Sequence, residues 1–462
     1  MTLTRIELSP ITRISGLLSV EAELSNRMVT SAQVKGTMFR GFEIMLPGRK
    51  ILDAPYFTQR ICGICSLAHG LTASKAVEYA CQVKIPPSVE LLRNVLLGFE
   101  ILQNHIRHFY LLVLPDYVES QALPFQPGGG GDYRFSLAET HRLVSHYYEA
   151  IEVSLLCHQS IALFGGKAPH QHGIVPGGAA VGPRSDLVLK ALANLDIINT
   201  FLEQKLARDV ELLSYRYEDY FALGAGPSNY LSFGLYTNPS TGEPLVPRGV
   251  FYNGARHPLD LNLISLDIDH SWFIISDSDG QVLPVSNKPG GYSWVKAPRY
   301  NGKVMEVGPL ARMIVAGLMP IRSSTMDRII ARARETVWTG SMIGEWLSQL
   351  DPAMPKPQSC NQTSRSPAYG AIEVLRGSLL HRLVSEGDTI TSYEIITPSE
   401  WNFSPRDSKE QSGAAEAALT GLKVKNMDRP VEIYRTLRSF DPCISCATHL
   451  VKLENGERFV VE

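Results

Sequence analysis

The chain has 462 residues, 44 Lys+Arg against 46 Asp+Glu, a net charge of −2 and 44% apolar residues with 19% charged. That is globular composition with enough apolar side chains for a large core, so it excludes a disordered chain. Near-neutral charge argues against general binding to nucleic acid or anionic membranes, and seven cysteines do not make a disulfide scaffold.

Residues 3–35 alternate apolar and polar side chains and predict a β-meander. No apolar segment at Met1–Ser9 has the character of a signal peptide. From Ile64 the pattern becomes helical, and Ile85-Pro86-Pro87 divides it into a helix near Leu67–Val83 and a long one near Val89–Leu114. The second carries Arg93, Glu100, His105, Arg107 and His108, which reads as a buried helix and not a membrane span. A Gly128–Gly131 run without Lys-Ser/Thr or strand–helix context reads as a bare turn, not a phosphate loop. Ser136-Leu-Ala-Glu139 is a capping box opening a helix that Gly165-Gly166 stops near Phe164. A further helix spans about Ser185–Tyr220. Residues 230–300 read as strands and loops. Ser324-x-x-Asp327 caps a helix reaching about Leu350, Arg376–Trp401 looks strand-like, and Gly413–Gly421 holds a short helix. The expected fold is α+β, predominantly α: a central bundle of long helices with β segments at its ends, in one domain spanning 1–462.

Four cysteines form two C-x-x-C pairs, Cys62/Cys65 and Cys443/Cys446; Cys81, Cys157 and Cys360 stand alone, the first two in helix-like apolar sequence as expected inert core residues. Each pair can hold a metal or form a redox disulfide. Zinc-ribbon pairs lie about 15–20 residues apart, far closer than these, and a thioredoxin motif needs only one pair. A shared four-thiolate metal site is therefore expected, with structural zinc as its rival. Arg60, before the first pair, is a cation of the kind that lowers thiol pKa.

Arg60-Ile-Cys62-Gly-Ile-Cys65 with His69, and Asp441-Pro-Cys443-Ile-Ser-Cys446-Ala-Thr-His449, resemble the two signatures of the [NiFe]-hydrogenase large subunit. The likeness continues through Ser9–Arg13, Gly36–Glu43, Phe164–His170, Glu306–Arg312 and Trp401–Asp407. It implies nickel bound terminally by Cys62 and Cys443, with Cys65 and Cys446 bridging to an iron that carries CO and CN. It further implies that Cys443 accepts the proton, that His69 hydrogen-bonds a bridging thiolate, and that Arg376 hangs over the metals paired with Asp441. Pro398 and Ser399 would enclose the diatomic ligands. Glu43, the main chain of Ile395 and His449 would hold an outlying Mg or Fe.

Two departures matter. Ser15 stands where the family's proton-accepting glutamate is expected, and a hydroxyl can relay but not hold a proton. Asn104 stands in place of an aspartate near the arginine. The resemblance also implies an iron–sulfur small subunit as partner, maturation proteins, and an endopeptidase that removes Leu450–Glu462 after His449. A hydrogen-sensing subunit with slow turnover is the alternative, and this extension favours the enzyme. The expected location is cytoplasmic, or membrane-associated or exported through a partner.

Overall fold

The computed structural model describes residues 3–124, 131–276, 282–360, 363 and 365–447. The expected meander is an antiparallel sheet of β1 (Leu3–Leu8), β2 (Leu18–Ser25) and β3 (Met28–Gly36). Its buried face, with Val20, Ala22, Leu24, Ala32 and Val34, packs on the C-terminal residues Ala414, Leu419, Ile433 and Leu437. The two ends of the chain therefore share one core, which fixes where the C-terminal cysteines lie.

Helix α1 (Ser66–Cys81) is followed after the Pro86-Pro87 break by α2 (Pro87–Arg107). Every residue of α2 from Val89 to Ile106 is buried. Several of its polar side chains are paired: Arg93 with Glu78, Asn94 with the Thr237 carbonyl, and His105 with Glu335. The α-helical geometry ends at Arg107 and a wider turn continues through His108–Val113, shorter than the helix expected to Leu114. Against α2 lie α3 (Leu137–Gly165), capped by the Ser136/Glu139 box, and α6 (Thr325–Ser348), capped by Ser324. The expected helix 185–220 is divided into α4 (Ser185–Phe201) and α5 (Ala207–Arg216) by a wide turn. These helices form the bundle.

A second antiparallel sheet, β4 (Ala368–Val374), β5 (Gly377–Glu386) and β6 (Thr389–Ile396), lies on α1. Contact is tight at Gly370, where a Cβ would come within 2.0 Å of the Thr72 carbonyl oxygen. The expected strand does not continue to Trp401. Thr397 and Glu400 form a capping box that turns Pro398–Asn402 into helix α7. After α8 (Ala414–Leu419) comes α9 (Val431–Ser439), which the sequence reading missed, then α10 (Ile444–Ala447).

The lone cysteines need one correction. Cys81, at the end of α1, is joined to Cys360 by a disulfide across 279 positions; two thiols far apart in sequence meet because the 350–360 segment runs back along Gly177–Gly182. Cys157 is the inert core thiol expected, with burial pushing it up to about 12.

Candidate metal centre

Cys62 follows a short turn of helix at Gln59–Ile61, and Cys65 is the N-cap residue of α1. Cys446 lies in α10 and Cys443 immediately before it. The two motifs meet because other groups hold both loops. Arg40 donates to the carbonyls of Arg60 (2.9 Å), Ile61 and Ser445 (3.3 Å), joining the first loop to the second. Ser15 lies against the second loop as a one-residue bridge to Cys443, and its carbonyl accepts the Ile444 amide at 2.7 Å. Arg13 anchors this segment to Asp116 and Leu112, and Arg438 of α9 reaches the same carboxylate at 2.7 Å. Gly16 (φ +89°) makes the close approach possible, since a Cβ there would sit 2.3 Å from the Ser445 nitrogen.

The four sulfurs lie within 4.8 Å of one another, all buried. Cys62–Cys443 is 3.6 Å, Cys65–Cys446 3.2 Å and Cys443–Cys446 2.9 Å. Four soft donors at these spacings fit a thiophilic metal or a thiolate-bridged pair. Hydrogen bonds from Cys446, Cys62 and Cys65, with the Arg376 charge, hold Cys443 well below the ordinary thiol value. Burial and its neighbours push Cys446 up. Arg60, by contrast, is exposed; the cation that acts on Cys443 comes from the other half of the chain.

Arg376 is buried and not a surface group. Its Nε donates to the Asp441 carbonyl at 3.0 Å and lies 3.1 Å from Asp441 Oδ1; its Nη2 donates to Asn104 Oδ1 at 2.7 Å. Asn104 in turn donates to Asp441 Oδ2 at 2.7 Å. Burial alone would raise Asp441, but the Arg376 guanidinium, with His108 and Arg332, holds it below the usual carboxylate range. Among the described residues Arg376 Nη1 is buried with no hydrogen-bond partner, and the arginine lines the cavity that also exposes Cys65, His69, Pro398, Ser399, Cys443 and Cys446. An orphaned donor over four thiols fits an acceptor held there. Ser399 accepts the Cys443 amide at 3.0 Å, leaving its hydroxyl proton for the cavity.

Ser15 Oγ lies 2.7 Å from Ser445 Oγ, which lies 3.4 Å from Cys443 Sγ. Ser445 escaped the sequence reading, although a hydroxyl between the two cysteines of Cys-Ile-Ser-Cys was its signal. Glu100, also passed over as a site residue, accepts the Leu67 and Ala68 amides at the start of α1 at 2.8 and 2.9 Å, and burial pushes it up to about 8. His69 is held neutral, its pKa lowered to about 4 by burial.

The outlying set is brought together in part. Glu43 Oε1 accepts the Ile395 amide at 2.7 Å, but both its oxygens are held by Lys296 Nζ at 2.8 and 3.0 Å. Lys296 is also 3.9 Å from Glu400 Oε1, an oxygen with no hydrogen-bond donor among the described residues. Burial works against the Lys296 charge, and Glu43 and Glu400 outweigh it; Glu400 is pushed up to about 8. His449 and Leu450–Glu462 lie outside the described residues, as does most of the Gly128–Gly131 run.

Residues 40–128, 119–320 and 317–449 match the family model described as nickel-dependent hydrogenase. The chain is 34% identical to the periplasmic [NiFeSe] hydrogenase large subunit of Desulfomicrobium baculatum, over 99% of this chain and 97% of that one. It is 28% identical to the hydrogenase-2 large chain of Escherichia coli K12, over 98% of each. Its fold superposes with a TM-score of 0.92 on the reduced Ni-Fe-Se hydrogenase of D. vulgaris Hildenborough, at 35% identity, covering 97% of this chain and 100% of that one.

Proposed function

The chain belongs to the nickel-dependent hydrogenase family, as a catalytic large subunit that cleaves H2 with a small subunit as partner, and on that premise we propose how its residues divide the work. The convergence of four sulfurs in one buried cluster, with an Arg376 nitrogen that has no partner among the described residues, carries the reading. Cys62, Cys65, Cys443 and Cys446 would hold the nickel and iron, with Cys62 and Cys443 as the nickel's own thiolates and Cys65 and Cys446 as the pair shared with iron. Two of the relatives are named for selenium; this chain has sulfur at all four positions. When bound, the metal pair supplies the Lewis acid that polarises H2 and the route by which electrons leave.

Cys443 Sγ, which has the Ser445 hydroxyl at 3.4 Å, takes the proton. It passes to Ser445 Oγ and then Ser15 Oγ, each hydroxyl accepting one proton while donating another. With the metals bound, Arg376 and the Ser399 hydroxyl would offer donors to ligands on the iron and Pro398 would wall that side of the cavity, while Asn104 and Asp441 hold the guanidinium in place. Electrons go to iron–sulfur clusters in the small subunit, since four of the chain's seven cysteines are used here and two form the disulfide.

An outlying Mg or Fe on Glu43, the Ile395 main chain and His449 fits the charge balance only if Lys296 yields the Glu43 carboxylate. Glu400 Oε1, 3.9 Å away, is the acceptor that could take it. The C-terminal residues after His449 are removed on maturation, in keeping with a family match that ends at residue 449. Intact-mass analysis of nickel-loaded protein should find a chain ending at His449; one ending at Glu462 overturns this. The working compartment is extracytoplasmic: a relative is named periplasmic, and a disulfide persists where the surroundings are oxidising. Among the described residues no helix is long and apolar enough to cross a membrane.

Metal analysis of the anaerobically isolated complex tests the central reading. Nickel should be present and lost in Cys446→Ser together with H2-dependent dye reduction. One zinc and no nickel would overturn it.

A further inference from the structure

His69 does not stand alone behind the cysteines. Its Nδ1 lies 3.1 Å from Nε2 of His381 on β5, and His381 Nδ1 lies 2.9 Å from the Tyr393 hydroxyl on β6. All three side chains are buried, His69 at 1%, His381 at 0% and Tyr393 at 4% exposure. The file thus leads from a cavity shared with Cys65, Cys443 and Cys446 to a phenol on the neighbouring strand, on the same face of the second sheet as His381.

A neutral imidazole has one donor and one acceptor nitrogen, so a file of two imidazoles and a phenol has only two consistent directions. In one, Tyr393 donates to His381 Nδ1, His381 Nε2–H donates to His69 Nδ1, and His69 presents Nε2–H to the cavity. In the other every bond is reversed and His69 presents a lone pair. A sulfur that ligates a metal is deprotonated, and a lone pair facing it is repelled.

We propose that Tyr393 and His381 are positioning residues that fix His69 as the Nε2–H tautomer, so that its proton points at the cysteine sulfurs. This rests on the hydrogenase reading of those sulfurs. It goes beyond it by assigning the orientation of His69 to two residues that touch no ligand. The physical need is that of any donor close to a metal ligand: the partner on the other ring nitrogen decides which nitrogen carries the proton and holds the ring plane. Tyr393 suits the outer end, because burial pushes its phenol well above the ordinary value and keeps it a donor.

The test is the protonation of His69 nitrogens in the full chain with its partner, labelled with 15N-histidine, the His69 signals being identified by their loss in His69→Ala. Both directions keep both internal bonds, so the choice falls at the ends of the file, and wild type should hold His69 predominantly as Nε2–H over Nδ1–H. His381→Leu should bring the ratio close to even, and Tyr393→Phe, which removes one hydroxyl only, should lower it in the same direction. His381→Gln should restore it, since the amide nitrogen can donate to His69 and the amide oxygen can accept from Tyr393. In parallel, the potential at which the nickel electron-spin signal appears should move negative in His381→Leu and return in His381→Gln, because a thiolate that loses a donor is more electron-rich. An Nε2–H ratio unchanged in both His381→Leu and Tyr393→Phe overturns the proposal. A nickel potential unchanged in His69→Ala overturns the reading that His69 serves the sulfurs, and is distinguishable because the tautomer ratio is measured separately.

Discussion

Ser445→Ala removes the one hydroxyl that touches Cys443 Sγ (3.4 Å) and Ser15 Oγ (2.7 Å) together. Ser15 is then left without its hydroxyl partner and out of hydrogen-bond reach of the sulfur. Positioned proton transfer contributes about 10²–10⁴-fold to a rate. The low end, about 10²-fold, is expected here because water can enter part of the gap. The structural cost is one hydrogen bond, about 1 kcal/mol, so folding and metal content should survive. Exchange of D2 with solvent protons, followed by mass spectrometry, requires the proton to leave the site. Conversion of para- to ortho-hydrogen requires only that H2 be split and re-formed there. Ser445→Ala should slow the first and spare the second, and Ser15→Ala should do the same. Ser15→Glu, which supplies an acid able to hold the proton, should speed exchange. If Ser445→Ala exchanges D2 at the wild-type rate, the proton leaves by another group and the hydroxyl pair is only structural.

Three further outcomes follow from other parts of the molecule. Gly16→Ala places a Cβ 2.3 Å from the Ser445 nitrogen at φ +89°; left-handed strain alone costs about 1–2 kcal/mol, so the melting temperature should fall by several degrees and nickel incorporation with it, whereas an unchanged melting curve would show that the loop yields freely. Glu416 is buried, accepting Val34 N at 3.0 Å, Tyr292 OH at 2.8 Å and Gly413 N at 3.1 Å, and burial pushes it up to about 7. Its folded-state value lies above the unfolded one, so its contribution is complete below about pH 4.5 and is lost as pH rises toward 7, by about 1.4 kcal/mol per unit; denaturant titrations across that window should show a shallower slope in Glu416→Gln. Cys81→Ser opens the long disulfide loop and should cost about 2–4 kcal/mol without loss of nickel; reduction of the wild type should produce the same destabilisation, and no effect of either would remove the argument for an oxidising compartment.

Local signals carried most of the secondary structure. The Ser136 and Ser324 caps, the Pro86-Pro87 break and the alternation of 3–35 each act over a few residues, which is the range sequence patterns report. Thr397-x-x-Glu400 was a signal of the same kind, and reading it would have ended the strand at Ile396. The four ligands were legible because two spaced pairs have few other uses. Their surroundings were not. Lys296 looks like an ordinary surface cation until folding buries it, and Arg376 with its Asp441 partner was marked only by the family likeness; nothing local marks a charge that will be compensated from a distant segment. The Cys81–Cys360 link and the His69–His381–Tyr393 file depend on how β4–β6 lie on α1, a long-range packing that no local pattern encodes.

The contact between Cys62 and Cys443 joins residues 381 positions apart, and this has a consequence in time. A ribosome adding about 5–20 residues per second releases the first pair roughly 20–80 s before the second exists. Through that interval Cys62 and Cys65 are two thiols on a half-made chain, open to whatever delivers or steals metal. Ser15 and Arg40 wait on the same side without the loop they will clasp. The order of synthesis therefore makes the C-terminal segment the last part to close, and the centre cannot be enclosed until nearly the whole polypeptide has been made.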